Sequence, residues 1–161
     1  MEPKFLVDFM LGRLCKWLRI LGYDATYFTS LNKNIIIYRS LKEGRILLTR
    51  DQRISKNKAL KVLLINSDDY EKQIQQVMKE LNLKVDPEKM FVRCCLCNTI
   101  LEPIEKEKVK DKVPPFVYQT QENFSFCSTC QKIYWPGTHW DLMRNKYTQI
   151  HPVRNSENIS K

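Results

Sequence analysis

The stretch RILLTRDQR, residues 45–53, constrains the fold more than any other part of this chain. Its apolar and β-branched residues follow one another without a polar break, which is typical of a strand buried on both faces of a parallel sheet. The apolar run ends abruptly at Thr49, Arg50 and Asp51. Open α/β sheets bind their ligands at the carboxyl ends of parallel strands. We therefore expect residues 45–49 to form a central strand with a functional site at its end.

Strand-like and helix-like segments alternate through the first half of the chain. Leucines recur at helical spacing from Leu11 to Leu21, and Gly22 is placed to end the helix that they predict. Alternating units of this length indicate a parallel sheet with helices on its faces, so the fold class predicted for residues 1–82 is α/β with a central parallel sheet. The predicted strands are residues 4–7, 23–28, 45–49 and 61–65. The first three predicted helices are residues 11–21, 32–43 and 52–58. A fourth helix is predicted to follow the capping residues Ser67, Asp68 and Asp69 and to run to Leu81.

The composition changes after Asn82. Residues 83–90 are few, polar and proline-containing, which is typical of a linker between domains. Five of the six cysteines follow in residues 91–144, where we expect a small zinc ribbon. Residues 145–161 are polar and contain few apolar side chains, so we predict a flexible tail there.

Two Cys-x-x-Cys pairs are the strongest local motif in the second half of the chain. Four thiolates in this pattern bind Zn²⁺ tetrahedrally, and the ion stabilises a segment too small to form a core of its own. The gap between the pairs exceeds the roughly 15–20 residues of the compact pattern, so we expect an insertion there. Cys95 and His139 are alternative ligands, and Cys15 is expected to be a buried apolar residue. The four predicted zinc ligands are Cys94, Cys97, Cys127 and Cys130.

The chain carries a formal charge of +9, which indicates either a polyanionic partner or a contribution to solubility. Charged residues at the amino terminus argue against a secretory leader, and no apolar run approaches the length of a membrane span. Paired cysteines in such a protein favour metal binding over disulfides. We therefore expect a cytoplasmic protein that is not embedded in a membrane.

Two aspartates occupy matching positions in the predicted sheet. Asp8 and Asp51 each follow an apolar strand and precede a helix, so both should face the crevice at the carboxyl end of the sheet. Two converging carboxylates can bind a divalent ion that activates water and stabilises charge on a phosphate, as in metal-dependent nucleases. The alternative is that both aspartates are ordinary helix N-caps. The sequence leaves the two interpretations open.

Basic residues lie near both aspartates in the sequence. Arg13, Arg50 and Arg53 are candidates for binding phosphate groups. Lys16 lies between Arg13 and Arg19 at a spacing of three residues, which predicts a basic stripe along the first helix. We expect this set of cations to bind a polyanion beside the acidic site.

Acids and lysines alternate over residues 105–112, within the expected insertion. An extended conformation would project the lysines from one face toward a phosphate backbone, whereas in a solvated hairpin they would pair with the acids, and we favour the hairpin. The aromatic cluster at residues 134–140 suits either base stacking or packing within the small domain. Packing is expected for at least one of its tryptophans.

Several ordered motifs together resemble one family. They are FLVDFMLGRLCKWLRILGYD, EGRILLTRD, Ser67-Asp68-Asp69 followed by Gln73, RCCLCN and CSTCQKIYWPGTHW. Over residues 5–143 the chain is similar to the Mut-seven C-terminal RNase-like family, in which a PIN-like domain related to metal-dependent ribonucleases precedes a zinc ribbon. The resemblance implies an RNA-directed nuclease. By position, it implies that Asp8 and Asp51 are the acidic strand-end residues, Arg13 and Arg50 the basic neighbours, and Cys94, Cys97, Cys127 and Cys130 the zinc ligands.

One departure from the family pattern concerns the helix after the second strand. Similar sequences often carry aspartates at its start, whereas this chain reads Asn-Lys-Asn at residues 32–34. Asp8 and Asp51 remain, with Asp69 as a third catalytic candidate. So few acids would neutralise a pair of divalent ions poorly, and we expect one ion.

The main hypothesis is a ribonuclease that uses Mg²⁺ or Mn²⁺ together with a structural Zn²⁺. The rival is a non-catalytic RNA-binding or ribosome-associated protein, for example one that binds tRNA, in which the acidic site is degenerate. A DNA-directed zinc-ribbon factor is disfavoured because the ribbon sequence predicts no recognition helix. The predicted substrate-binding residues are Arg13, Lys16, Arg50 and Arg53.

Overall fold

The run that the sequence places at the centre of the fold forms strand β3, Ile46–Thr49, of a four-stranded parallel sheet. The structure is a computed structural model that describes residues 1–137, 141 and 144–146. Leu47 and Leu48 of β3 have no exposed surface. The predicted α/β fold with a central parallel sheet is therefore confirmed. The other strands of this sheet are β1 at Phe5–Asp8, β2 at Ala25–Phe28 and β4 at Val62–Leu64.

Four helices pack on the two faces of this sheet. They are α1 at Gly12–Ile20, α2 at Lys33–Glu43, α3 at Gln52–Ser55 and α4 at Tyr70–Glu80. Successive side chains of a strand point to opposite faces, so Phe5 and Val7 pack with α1 and α4, whereas Leu6 packs with α2 and α3. A buried apolar core therefore lies on each side of the sheet and fixes the strand ends in space.

The strand order across the sheet is β2-β1-β3-β4. The chain passes from β1 to β2 on one side and then returns to β3 on the other side of β1. The order thus reverses between β1 and β3, and such a switch point is where open α/β sheets form their ligand crevice. Asp8 is the last residue of β1 and Thr49 is the last residue of β3, so both lie at this crevice.

Helix α2 begins beside the switch point. The side-chain oxygen of Asn32 accepts a hydrogen bond from the Asn34 amide at 3.0 Å, which caps the helix and places Lys33 in its first turn. The helix ends at Gly44, whose φ of +62° is the left-handed conformation that glycine adopts without strain.

A second, antiparallel sheet forms the small unit in the second half of the chain. Its three strands lie side by side in chain order, and the sheet packs on a separate apolar cluster that includes Val109, Phe124 and Trp135. The ring of Trp135 contacts the ring of Phe124 edge-on with 6.4 Å between centroids, so this tryptophan packs as expected. Trp140, His139 and, apart from 145 and 146, the predicted tail lie outside the described residues. The elements are β5 at Glu102–Ile104, α5 at Pro115–Thr120, β6 at Phe124–Cys127 and β7 at Lys132–Tyr134.

The lysine-rich insertion does not have the extended conformation that would align its lysines. Lys106–Val109 forms a turn of 3₁₀ helix, so neighbouring lysines point in different directions. Lys106 pairs with Glu122 at 2.8 Å, and its ammonium lies 5.0 Å from the ring centroid of Tyr118. The idea of a lysine row aimed at a phosphate backbone is therefore wrong.

The segment expected to be a linker, residues 83–90, is packed against the parallel-sheet unit. Val85 and Met90 are buried in its core, and the Tyr23 hydroxyl donates to the carbonyl of Lys84 at 2.8 Å. A side chain at Gly22 would collide with the carbonyl of Lys89. The segment is therefore anchored to the parallel-sheet unit at Val85 and Met90.

Arg19 does not belong to the predicted basic stripe, because its side chain is buried. Its guanidinium donates hydrogen bonds to the carbonyl oxygens of Ala25 at 2.8 Å, Leu96 at 2.9 Å and Cys95 at 3.1 Å. Asn98 adds a hydrogen bond from its amide group to Asp24 at 2.7 Å. These contacts dock the first cysteine pair against α1 and the start of β2.

Among the described residues, none of the helices has both the length and the apolar character needed to cross a membrane.

Candidate functional site

The carboxylate of Asp8 is held at the end of β1 by two donors. It is 6% exposed, its Oδ1 accepts the Phe9 amide at 2.8 Å, and its Oδ2 accepts the Thr49 hydroxyl at 2.7 Å. The register that pairs Val7 with Leu48 brings Thr49 alongside Asp8. The fully buried Thr49 hydroxyl also accepts the amide of Asp51 at 3.0 Å. One hydroxyl therefore links the two aspartates.

Asp51 lies two residues beyond the end of β3 and caps α3. Its Oδ1 accepts the amide of Arg53 at 2.8 Å, and its Oδ2 forms an ion pair with the ammonium of Lys33. The hydrogen bond from Lys33 is the main cause that holds the pKa of Asp51 below its usual value. The capping interpretation thus describes part of what both aspartates do, since Asp8 also accepts the amide at the start of the turn that follows it.

Both aspartates line one pocket of about 280 Å³ at the strand switch. Lys33 and Ser30 also border it, and the rest of the lining is apolar. Carboxylate oxygens are the preferred protein ligands of Mg²⁺, so the pocket has a donor set that suits this ion. Within the described part of the chain, no third acid joins these two closely enough to form a cluster of metal ligands. The remaining pocket residues are Phe9, Met10, Phe28, Leu31, Ile36 and Ile54.

Asp69, the third catalytic candidate, does not line this pocket. It is exposed at the N-terminus of α4, where its Oδ1 accepts the amides of Glu71 at 2.9 Å and Lys72 at 3.0 Å. These hydrogen bonds make Asp69 the N-cap of α4. In the structure Asp69 therefore caps α4 and does not join Asp8 and Asp51 in the pocket lining.

The four predicted substrate-binding cations are exposed and lie outside the pocket lining. The guanidinium of Arg13 lies 3.9 Å from the ring centroid of Tyr70, which is stacked on Trp17 with 6.1 Å between centroids. Arg50 and Arg53 flank Asp51 in the chain. Lys16 lies one turn beyond Arg13 on α1. The structure therefore leaves all four cations exposed to solvent and outside the pocket lining.

Four cysteine sulfur atoms lie within 4.8 Å of one another. The Sγ atoms of Cys97 and Cys127 are 3.4 Å apart, and those of Cys94 and Cys130 are 3.9 Å apart. A Zn–S distance of about 2.3 Å in a tetrahedral site places neighbouring sulfurs about 3.8 Å apart. The spacing and the donor set therefore fit Zn²⁺, and the four cysteines are the ones that the sequence predicts.

Backbone geometry around the cysteines repeats at both pairs. Asn98 and Gln131, each directly after the second cysteine of its pair, have φ values of 73° and 59°. The left-handed conformation turns the chain so that both sulfur atoms of a pair point toward the centre of the four-cysteine cluster. The close Cys97 thiol, followed by burial, raises the pKa of Cys130 to about 12, so a cation is needed for all four to be thiolates.

The other cysteines have different environments. Cys15 is 1% exposed in the core, which confirms it as a buried residue, and burial raises its pKa to about 11. Cys95 packs against the same core and is not part of the sulfur cluster.

Sequence reasoning missed two residues of this site: Lys33, which lines the pocket, and Thr49, which forms hydrogen bonds with both aspartates. Thr49 was recognised only as the end of a strand, and nothing in the pattern indicates that its hydroxyl joins Asp8 to Asp51. The sequence contains a signal for Lys33, because a lysine in the first turn of a helix is unfavourable next to the positive end of the helix dipole.

Comparison with known proteins identifies one family. The family model of the Mut7-C RNAse domain matches residues 3–147. The match includes the parallel-sheet unit, the connecting segment and the cysteine cluster. No curated protein and no solved structure matches the chain.

Proposed function

The chain belongs to the Mut7-C RNAse domain family, and from this membership we propose that it hydrolyses phosphodiester bonds of RNA at the pocket shared by Asp8 and Asp51. The observation that carries the proposal is that both carboxylates line one pocket at the strand switch between β1 and β3. Ligand sites of open α/β sheets occur at this position.

Asp8 and Asp51 would hold a single Mg²⁺ or Mn²⁺ ion. Each of their four carboxylate oxygens accepts one hydrogen bond and retains a second acceptor site for an ion. Such an ion lowers the pKa of water and stabilises the negative charge that develops on a phosphate.

Hydrolysis adds water across one P–O bond of the RNA backbone. The water oxygen bonds to phosphorus, and the bond to the leaving sugar oxygen breaks with its electron pair. The leaving oxygen gains a proton and the attacking water loses one, which gives a phosphate monoester and a free hydroxyl. The apolar side chains of Phe28, Ile36 and Ile54 border the reacting group and exclude bulk water, which strengthens electrostatic interactions in the pocket.

The exposed cations around the pocket would bind the rest of the RNA. We assign phosphate contacts to Arg50 and Arg53, which flank Asp51 in the chain. Arg13 and Lys16 on α1 would add to this basic surface. The guanidinium of Arg13 lies over the ring of Tyr70, and both groups are flat surfaces on which unpaired bases can stack. The zinc ribbon would extend this binding surface, with tRNA or ribosomal RNA as candidate partners in the cytoplasm.

The test compares RNA cleavage by the zinc-loaded protein and its aspartate variants in Mn²⁺. Asp8→Asn and Asp51→Asn should each slow cleavage by about a hundredfold or more, because each removes charge that binds the ion. Asp69→Asn should cleave like wild type, since asparagine caps a helix as well as aspartate and Asp69 lies outside the pocket. Asp111→Asn, on the exposed insertion, is the surface control.

Equal cleavage by all of these proteins would indicate a contaminating nuclease and would refute the proposal. Loss of cleavage in Asp69→Asn alone would place the active site elsewhere.

A second candidate function is RNA binding without cleavage. It is favoured by the Lys33 ammonium on Asp51 and by the lack of a third nearby acid among the described residues. A salt titration of RNA binding without added Mg²⁺ or Mn²⁺ separates the two. Tight, metal-independent binding with no turnover after Mn²⁺ is added would support the binding protein.

A further inference from the structure

Lys33 carries the single positive charge among the described residues that line the pocket. Its ammonium forms an ion pair with Oδ2 of Asp51. The Lys33 side chain is 51% exposed, whereas that of Asp51 is 17% exposed. The lysine can therefore move away from Asp51 without breaking any packing in the core.

Local stability does not account for a lysine at this position. Lys33 is the first residue of α2, where the helix dipole favours acidic side chains, and the first turn of α2 contains none. A half-exposed ion pair adds little to stability, because solvent screens it. The side chain is nevertheless directed across the pocket, from α2 to the segment that follows β3.

The charges of the two aspartates in the pocket match those of one divalent ion. Asp8 and Asp51 together neutralise one divalent ion, and the Lys33 ammonium then leaves one net positive charge in the pocket. A phosphodiester carries one negative charge and fits this excess. A second divalent ion would add two more positive charges with no further acid nearby among the described residues.

We propose that Lys33 is a catalytic residue of this site, whose ammonium takes the place of a second divalent ion. It pairs with Asp51 in the free protein and contacts the phosphate at the cleavage point when RNA is bound. The inference rests on the proposed nuclease function. In two-metal nucleases one ion stabilises the leaving oxygen, and here a lysine on a flexible stem supplies that charge.

The test measures ion binding and cleavage separately on the full-length, zinc-loaded chain. Lys33→Met keeps the length of the side chain and removes its charge. Lys33→Arg keeps the charge. The matched control is Lys42→Met, in the last turn of the same helix, because Lys42 lies outside the pocket lining.

Mn²⁺ binding is measured without RNA from the electron paramagnetic resonance signal of the free ion. Lys33→Met should bind one Mn²⁺ about tenfold more tightly than wild type, because Asp51 no longer shares its charge with an ammonium. In single-turnover assays at saturating Mn²⁺ the same variant should cleave RNA about a hundredfold more slowly. Lys33→Arg should stay within about tenfold of wild type in cleavage, and Lys42→Met should match wild type in both measurements.

Opposite changes in ion affinity and rate support the proposal, since a purely structural lysine would not strengthen ion binding. Unchanged Mn²⁺ affinity in Lys33→Met would overturn it and leave the nuclease function standing. Tighter binding with undiminished cleavage would also overturn it, because Lys33 would then only compete with the ion. If no protein shows cleavage that depends on Asp8, the nuclease proposal fails and the catalytic role of Lys33 fails with it.

Discussion

Thr49 joins the two acidic residues of the pocket through one buried hydroxyl. It donates to Asp8 at 2.7 Å and accepts from the amide of Asp51 at 3.0 Å. Because the side chain has no exposed surface, removal of the hydroxyl would leave both partners without a replacement from bulk water. Thr49 is therefore a positioning residue for the carboxylates.

Thr49→Val keeps the shape of the side chain and removes the hydroxyl. We expect a loss of about 2 kcal/mol in the free energy of unfolding, measured in urea, and Mn²⁺ binding that is about tenfold weaker. Thr49→Ser retains the hydroxyl and should keep Mn²⁺ affinity close to that of wild type. Wild-type Mn²⁺ affinity in the valine variant would contradict the positioning role.

The sequence was sufficient to place Asp8 and Asp51 at one edge, because each follows an apolar strand and parallel strands end together. It was not sufficient for Thr49 or Lys33. The contact of Thr49 with Asp8 depends on the register of β1 against β3, and that of Lys33 depends on how α2 packs over the sheet edge. Both are tertiary properties that local patterns do not determine.

Arg19 of helix α1 connects this helix to the first cysteine pair through hydrogen bonds. The buried guanidinium donates to the carbonyls of Cys95 and Leu96 in the ribbon and of Ala25 in β2. The position of these ribbon carbonyls depends on the turn that the cysteine cluster holds. We therefore expect zinc removal to destabilise the part of the parallel-sheet unit that Arg19 contacts.

Removal of zinc with a strong chelator tests this coupling. We expect amide hydrogens of residues 94–130 to lose protection, and those of residues 19–25 to exchange about tenfold faster, when followed by hydrogen exchange and mass spectrometry. Residues 62–64 of β4 serve as the internal control and should change less. Full protection of residues 19–25 in the zinc-free protein would show that the two units are independent.

The insertion between the cysteine pairs illustrates how packing overrides a local pattern. Alternating charges over residues 105–112 suit an extended or hairpin conformation, yet Lys106–Val109 is helical. Val109 and Val113 are four residues apart, and both are buried against Phe124 in the ribbon cluster. Val109 ends the 3₁₀ turn and Val113 follows it, so the burial of these two valines, and not the alternation of solvated side chains, determines the conformation here.

At the scale of the whole molecule, Asp24 joins three parts of the fold. Its carboxylate accepts hydrogen bonds at 2.8 Å from Arg45, which precedes β3, and at 2.7 Å from Asn98 of the ribbon. Burial raises the pKa of Asp24, but the hydrogen bonds from Arg45 and Asn98 outweigh it and lower the pKa below the usual value. No local sequence pattern predicts this junction, because it depends on how the two units dock.

The lowered pKa of Asp24 has a definite consequence for stability. A carboxyl whose pKa is lower in the folded protein contributes stability above its unfolded pKa of about 3.9, and this stability is lost as the pH falls through the folded value. Asp24→Asn should therefore unfold about 1–2 kcal/mol more easily than wild type at pH 7. The difference between the two proteins should stay constant down to about pH 5 and shrink below about pH 4.

Urea denaturation of both proteins over this pH range measures the effect. Protonation of the four clustered cysteines, whose spacing fits Zn²⁺, would also destabilise the protein in acid. This effect acts on both proteins alike, so only the difference between them reports on Asp24. Asp111→Asn, on the exposed insertion, should show no such difference from wild type at any pH. A gap between wild type and Asp24→Asn that persists unchanged at pH 3 would mean that the lost stability comes from the replacement of an acceptor oxygen by an amide donor and not from the loss of charge. A gap that closes in acid would show that the ionised carboxylate itself holds β2, β3 and the ribbon together.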